Sequence, residues 1–100
     1  MSSELATRTF RALGNASATA RTVFTGSGLL LSIMCANTNN ADDLVNFTDS
    51  SGTVLFSINA PADGSQDWSL EGGVILDNGL IAVATSAAST TIISALYRPQ

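Results

Sequence analysis

Histidine and lysine are absent from this chain, and cysteine, tryptophan and tyrosine occur once each. Without histidine there is no Ser-His-Asp triad and no Cys-His pair, and a lone cysteine cannot build an ordinary zinc site. Without lysine, Schiff-base chemistry and the lysine-containing phosphate loop fall away, so Gly26-Ser27-Gly28 is a turn signal only. Charge is scarce as well: charged residues make up 12% of the 100 residues, and the formal net charge is −4. Nucleic acid and anionic membrane both demand clustered cations, so neither is an expected partner. Cys35 sits in an apolar run with no second cysteine to pair with, and reads as a core thiol. No stretch approaches the length of a membrane span. The start, MSSELATRTFRALG, lacks the basic opening and continuous apolar core of a secretory signal, so synthesis in a cytoplasm is expected.

What is present is β-forming sequence broken by turn residues. Residues 44–59, LVNFTDSSGTVLFSIN, place Asp49, Ser50, Ser51 and Gly52 between two runs rich in Val, Phe, Leu, Thr and Ile, the pattern of a β-hairpin. Pairing Thr48 with Thr53 sets Phe47 opposite Val54 and Val45 opposite Phe56, with both pairs facing the core. Residues 29–36, LLLSIMCA, are apolar on both faces: Leu29, Leu31, Ile33 and Cys35 on one, Leu30, Met34 and Ala36 on the other. Such a run predicts a strand covered on both sides, one of them by another segment or another chain. A buried helix is the rival, and the shortness of the run between Gly28 and Asn37-Thr38-Asn39-Asn40 favours the strand. Hydrophobic residues at 45% point to apolar area covered by a neighbour, or to a surface built of Ala, Ser and Thr.

Residues 1–20 are expected to form an N-terminal arm, since Leu5, Phe10 and Leu13 follow neither the strand nor the helix period, and Gly14 and Asn15 punctuate the segment. Residues 21–100 are expected to form a single β-sandwich domain. A strand is predicted over residues 19–25. Pro61 and Asp63-Gly64 mark a loop, and Gly72-Gly73 separates short strands at 68–70 and 74–76. Asp77-Asn78-Gly79 turns the chain into a strand at 80–85, and the last strand, 91–97, ends at Arg98-Pro99. The fold class is therefore all-β: an antiparallel β-sandwich or jelly-roll-like barrel of seven or eight short strands with an N-terminal arm.

By residue type, paired carboxylates are the catalytic option left. Asp42, Asp43, Asp49, Asp63, Asp67 and Asp77 all fall in or beside predicted turns, where local backbone amides explain them. Asp63-Gly64-Ser65-Gln66-Asp67 has oxygen ligands at alternate positions but lacks the distal Glu of a calcium loop. The sequons at Asn15 and Asn46 have no leader to bring them to glycosylation machinery and are discounted. Trp68 and Tyr97 read as core or interface anchors. Arg8, Arg11 and Arg21, three of the four cations, lie in the first quarter of the chain, which makes the N-terminal segment a candidate ion-pairing arm.

Taken together, Gly26-Ser27-Gly28-Leu29-Leu30, the hairpin turn Phe47 to Thr53, Asp77-Asn78-Gly79-Leu80-Ile81-Ala82-Val83 and the terminal Ala95-Leu96-Tyr97-Arg98 resemble small tailed-phage virion structural proteins, over residues 20–98. The resemblance implies an all-β virion protein, first a capsid decoration or cement protein that bridges capsid subunits, with a neck or tail component as the alternative. It carries no catalytic residue, metal or cofactor. The implied partners are the major capsid protein or other virion subunits and further copies of the chain, a trimer being one option. A carbohydrate-binding β-sandwich is the reading outside this group. The candidate partner-binding residues, read from the residues themselves, are Arg8, Phe10 and Arg11 on the arm and Leu30 and Met34 on the apolar strand.

Overall fold

A computed structural model describes residues 6–11 as backbone, and residues 20–85 and 91–99 in full. Leu5, Leu13, the Gly14-Asn15 punctuation and the Asn15 sequon lie outside the described residues. Eight strands run in the order β1 (Ala6–Arg11), β2 (Ala20–Phe24), β3 (Gly28–Ala36), β4 (Asp43–Thr48), β5 (Val54–Ala60), β6 (Ser65–Leu76), β7 (Leu80–Ala84) and β8 (Ile92–Pro99). They form two four-stranded sheets, β1-β8-β3-β6 and β2-β7-β4-β5, in which every neighbour is antiparallel. This is a jelly roll. The alternation of β7 and β8 shows how the sequence builds it: Leu80, Ala82 and Ala84 on β7, and Ile93, Ala95 and Tyr97 on β8, point inward and are buried, while the residues between them are half-buried on the outer faces. Phe47, Leu30, Ile33 and Ile58 fill the space between the sheets against these small alanines, which is how close packing is reached with few aromatics.

The hairpin turn forms from the expected residues. The Asp49 Oδ1 accepts hydrogen bonds from the amides of Ser51 (2.9 Å) and Thr53 (3.0 Å), and Gly52 takes a left-handed φ of +89°. The register differs from expectation. Thr48 pairs with Val54, a bulge follows, and Phe47 stands opposite Phe56 and Val45 opposite Ile58. The bulge sends Val54 to the outer face, where it is 54% exposed, and turns Leu55 toward the space between the sheets. Phe47 and Phe56 share a face as predicted, but Val54 does not face the core.

A second bulge corrects the face assignment of β3. Leu30 pairs with Val74 and Ser32 with Ser69, so residues 70–73 of β6 stand opposite Leu31 alone. The parity of β3 changes at that point. Leu30 joins Ile33 and Cys35 in the core, while Leu29 and Leu31 pack beside Gly73 and Met34 is exposed. Gly72-Gly73 therefore does not separate two strands. Both take positive φ, +78° and +82°, and let one long edge strand, β6, fold an irregular segment over β3.

The expected arm also changes. Residues 6–11 form β1, paired with β8 from Ala6 opposite Tyr97 to Arg11 opposite Ile92, so this part of the arm belongs to the sandwich. Asp43 begins β4 and is buried, not turn-bound, accepting a hydrogen bond from the Thr91 hydroxyl. Asp67 likewise lies on strand β6.

Candidate functional site

Each sheet has two edge strands, and the packing of the sheets sets these edges in pairs. The Phe24 and Tyr97 rings, 5.0 Å apart, hold β2 over the β1-β8 side, and β5 packs against β3 and β6. One side of the sandwich is thus made by β1 and β2, and the opposite side by β5 and β6.

At the β5-β6 side the sheets part around an apolar cleft of about 290 Å³ lined by Leu30, Leu55, Phe56, Trp68, Leu70, Val74 and Leu76. An aromatic ladder leads into it from the core. Phe47 stacks on Phe56 at 4.9 Å, and Phe56 meets Trp68 at 5.5 Å with the rings tilted by 35°. Leu55, Val74 and the neighbouring Ile75 are 40%, 44% and 65% exposed, so the mouth of the cleft carries apolar area into solvent. The sequence signal for this lay in β6, where Trp68, Leu70, Val74 and Leu76 keep an inward parity that the Gly72-Gly73 bulge extends beyond the covering sheet.

Charge is divided between the two sides. All four arginines fall on β1, β2 and β8: Arg8, Arg11, Arg21 and Arg98. The seven described acids fall on the other half: Asp42 and Asp43 at the start of β4, Asp49 and Asp63 at the two ends of β5, Asp67 and Glu71 on β6, and Asp77 after it. Among the described residues no three acids or cysteines gather as a metal site. Asp49 and Asp42 have structural duties, Asp42 accepting from the amide of Ala62 at 2.9 Å.

The five partner-binding candidates are separated by this fold. Leu30 is fully buried in the core and offers nothing to a partner in this state, which corrects its assignment to the face of Met34. Met34, 38% exposed, lies on the outer face of the β1-β8-β3-β6 sheet, across from Ser94 of β8, which in turn stands opposite Thr9. Arg8, Phe10 and Arg11 stand opposite Ala95, Ile93 and Ile92 on the edge strand β1. Their side chains lie outside the described atoms. Cys35 is a core thiol, its pKa pushed up to about 12 by burial and then by the nearby Asp43 carboxylate, which keeps it protonated at neutral pH.

No protein-family model and no curated protein matches the chain. Solved structures share its fold. The subunit of Bacillus endospore appendages, a family of disulfide-linked pili, superposes with a TM-score of 0.59 at 13% identity, over 97% of this chain and 85% of its own. The Drosophila NLP core, studied for pentamer formation and histone binding, gives 0.60 at 9% identity over 97% and 98%. PirA gives 0.56 at 14% identity over 92% of each chain. At these identities the likeness is one of fold alone.

Proposed function

We propose that this chain is a structural subunit of a virion, a decoration or cement protein that binds the outside of a phage capsid and holds neighbouring subunits together by area and shape. The observation that carries the reading is the apolar cleft at the β5-β6 side, with Leu55, Val74 and Ile75 exposed around it, a surface fitted to another protein rather than to water. The acids spread along one side instead of converging on a pocket, which supports a non-enzymatic role. No two aromatics are exposed together among the described side chains, so a sugar-stacking platform has no support. The resemblance of residues 20–98 to tailed-phage virion proteins supports that location. The pilus and pentamer named above are assemblies of chains with this fold, which favours copies acting together. On a lattice, many modest contacts hold firmly without tight single-site affinity.

The test is particle stability. Particles lacking the protein should lose genome at lower temperature or lower osmotic stress than complete ones, and purified protein added back should restore resistance. Equal stability, with the protein located at the neck or tail tip by imaging, would overturn the capsid assignment in favour of the tail component.

A further inference from the structure

We infer that copies of this chain join edge to edge in a head-to-tail contact, the β1-β2 side of one copy docking on the β5-β6 side of the next. This deepens the reading above, naming a second copy of the chain as the neighbour that the exposed cleft fits, and its test reads self-association and not particle stability.

Strand direction permits the contact. Each sheet has four strands with antiparallel neighbours throughout, so its two outermost strands run in opposite directions. Moving a copy sideways without rotation therefore sets β1 antiparallel to β6 of the next copy, and β2 antiparallel to β5. Both sheets then continue across the junction through backbone edges that pair with no other strand among the described residues. Of these edge strands, β5, VLFSINA, carries no charge and no proline to guard it against such pairing.

Charge selects this arrangement over its rivals. A two-fold contact of β6 with β6 also satisfies strand direction, but it lays two strands that each carry Asp67 and Glu71 side by side, and a β1 with β1 contact does the same for two strands that carry Arg8 and Arg11. Only the head-to-tail contact brings the arginine side to the acidic side. It also covers the mouth of the cleft at Leu55, Val74 and Ile75, which removes apolar area from water where electrostatics alone would give a weak contact. Such a contact is heterologous, so it closes into a ring or continues as a filament according to the turn between copies.

Sedimentation velocity on the purified full chain tests the inference. The wild type should self-associate at about 50 mM salt and weaken by roughly tenfold or more at about 500 mM. Reversing one side, as Arg8→Glu with Arg11→Glu, should abolish association, and so should reversing the other, as Asp67→Arg with Glu71→Arg. Mixing the two variants should restore it, because each presents the charge that the other now lacks. A wild type that stays monomeric at low salt overturns the inference and leaves the cleft to a different partner. Association of either variant as strong as wild type also overturns it, as does failure of two folded variants to recombine. Should a reversal fail to fold by circular dichroism, the neutral pairs Arg8→Gln with Arg11→Gln and Asp67→Asn with Glu71→Gln replace it. Each should lower association, and an unchanged constant counts against the contact.

Discussion

Phe47 and Phe56 stand directly opposite each other on β4 and β5, their rings stacked with centroids 4.9 Å apart and planes 17° from parallel. Phe47 is wholly buried, whereas Phe56 is half-buried and forms the step from the core to the cleft. Their truncations should therefore differ. Phe47→Ala is expected to cost about 3–5 kcal/mol, and Phe56→Ala less, roughly 1.5–3 kcal/mol. A double-mutant cycle by urea denaturation should give a coupling of about 0.5–1.5 kcal/mol. Equal single costs with no coupling would remove the stack from its place in the core.

Gly73 and Gly52 both take positive φ, +82° and +89°, but only one of them is crowded. A Cβ at Gly73 would lie 2.8 Å from Cγ and Cδ1 of Leu29, whereas one at Gly52 meets nothing within 4 Å. Gly52→Ala should carry the backbone cost alone, about 1–2 kcal/mol. Gly73→Ala should add roughly 1–3 kcal/mol of overpacking against Leu29. Leu31 Cδ2 would also lie 3.1 Å from that Cβ, so thermal unfolding of both changes in a background of Leu29→Ala with Leu31→Ala separates the two parts: the gap between them should close there. A gap that persists would place the strain in the backbone of the bulge.

The same two bulges mark what could be read from the sequence. Turns were legible because their chemistry is local: Asp49 caps its own hairpin within four residues, and Gly79 closes the turn it was expected to make. Strand content was legible from the two-residue period. Parity was lost where a bulge intervened, since one unpaired residue reverses every face beyond it, and this moved Leu30 into the core and Val54 out of it. Strand β1 escaped notice because its partner, β8, lies at the other end of the chain, and no local period announces such a pairing. The division of charge needed the strand order. In sequence the arginines form only an N-terminal excess; Arg98 and the β5-β6 side become meaningful once β8 is seen beside β1.

The Cys35 thiol should shape the alkaline limit of stability. Burial first, then the Asp43 carboxylate, push its pKa up to about 12 from an ordinary 9.0. Well below pH 9 it is protonated in the folded and unfolded chains alike and its contribution is constant. Between pH 9 and 12 the unfolded chain releases the proton first, so it binds fewer protons than the native state and stability falls as pH rises. The unfolding free energy of wild type should therefore drop more steeply between about pH 9 and 11 than that of Cys35→Ala. Parallel slopes would show that the thiol titrates normally in the fold.

Removing residues 1–11 distinguishes an appended arm from a strand of the sandwich. An arm could be deleted at little cost to folding. The pairing of β1 with β8, from Ala6 opposite Tyr97 to Arg11 opposite Ile92, predicts otherwise. Deletion strips one ladder from β8 and turns it from an inner strand into an edge. At a net value of about 1 kcal/mol for each backbone hydrogen bond, the truncated chain should lose roughly 3 kcal/mol or more, a large share of the stability of a domain this size. Amide exchange gives the finer signature. The amides of β8 that face β1 should lose protection, while those bonded to β3 from Gly28 to Ala36 keep theirs, because that pairing survives. Unchanged stability together with unchanged exchange across Ile92–Pro99 would return residues 6–11 to the status of an arm. It would also leave the β1-β2 side without the strand on which head-to-tail docking depends.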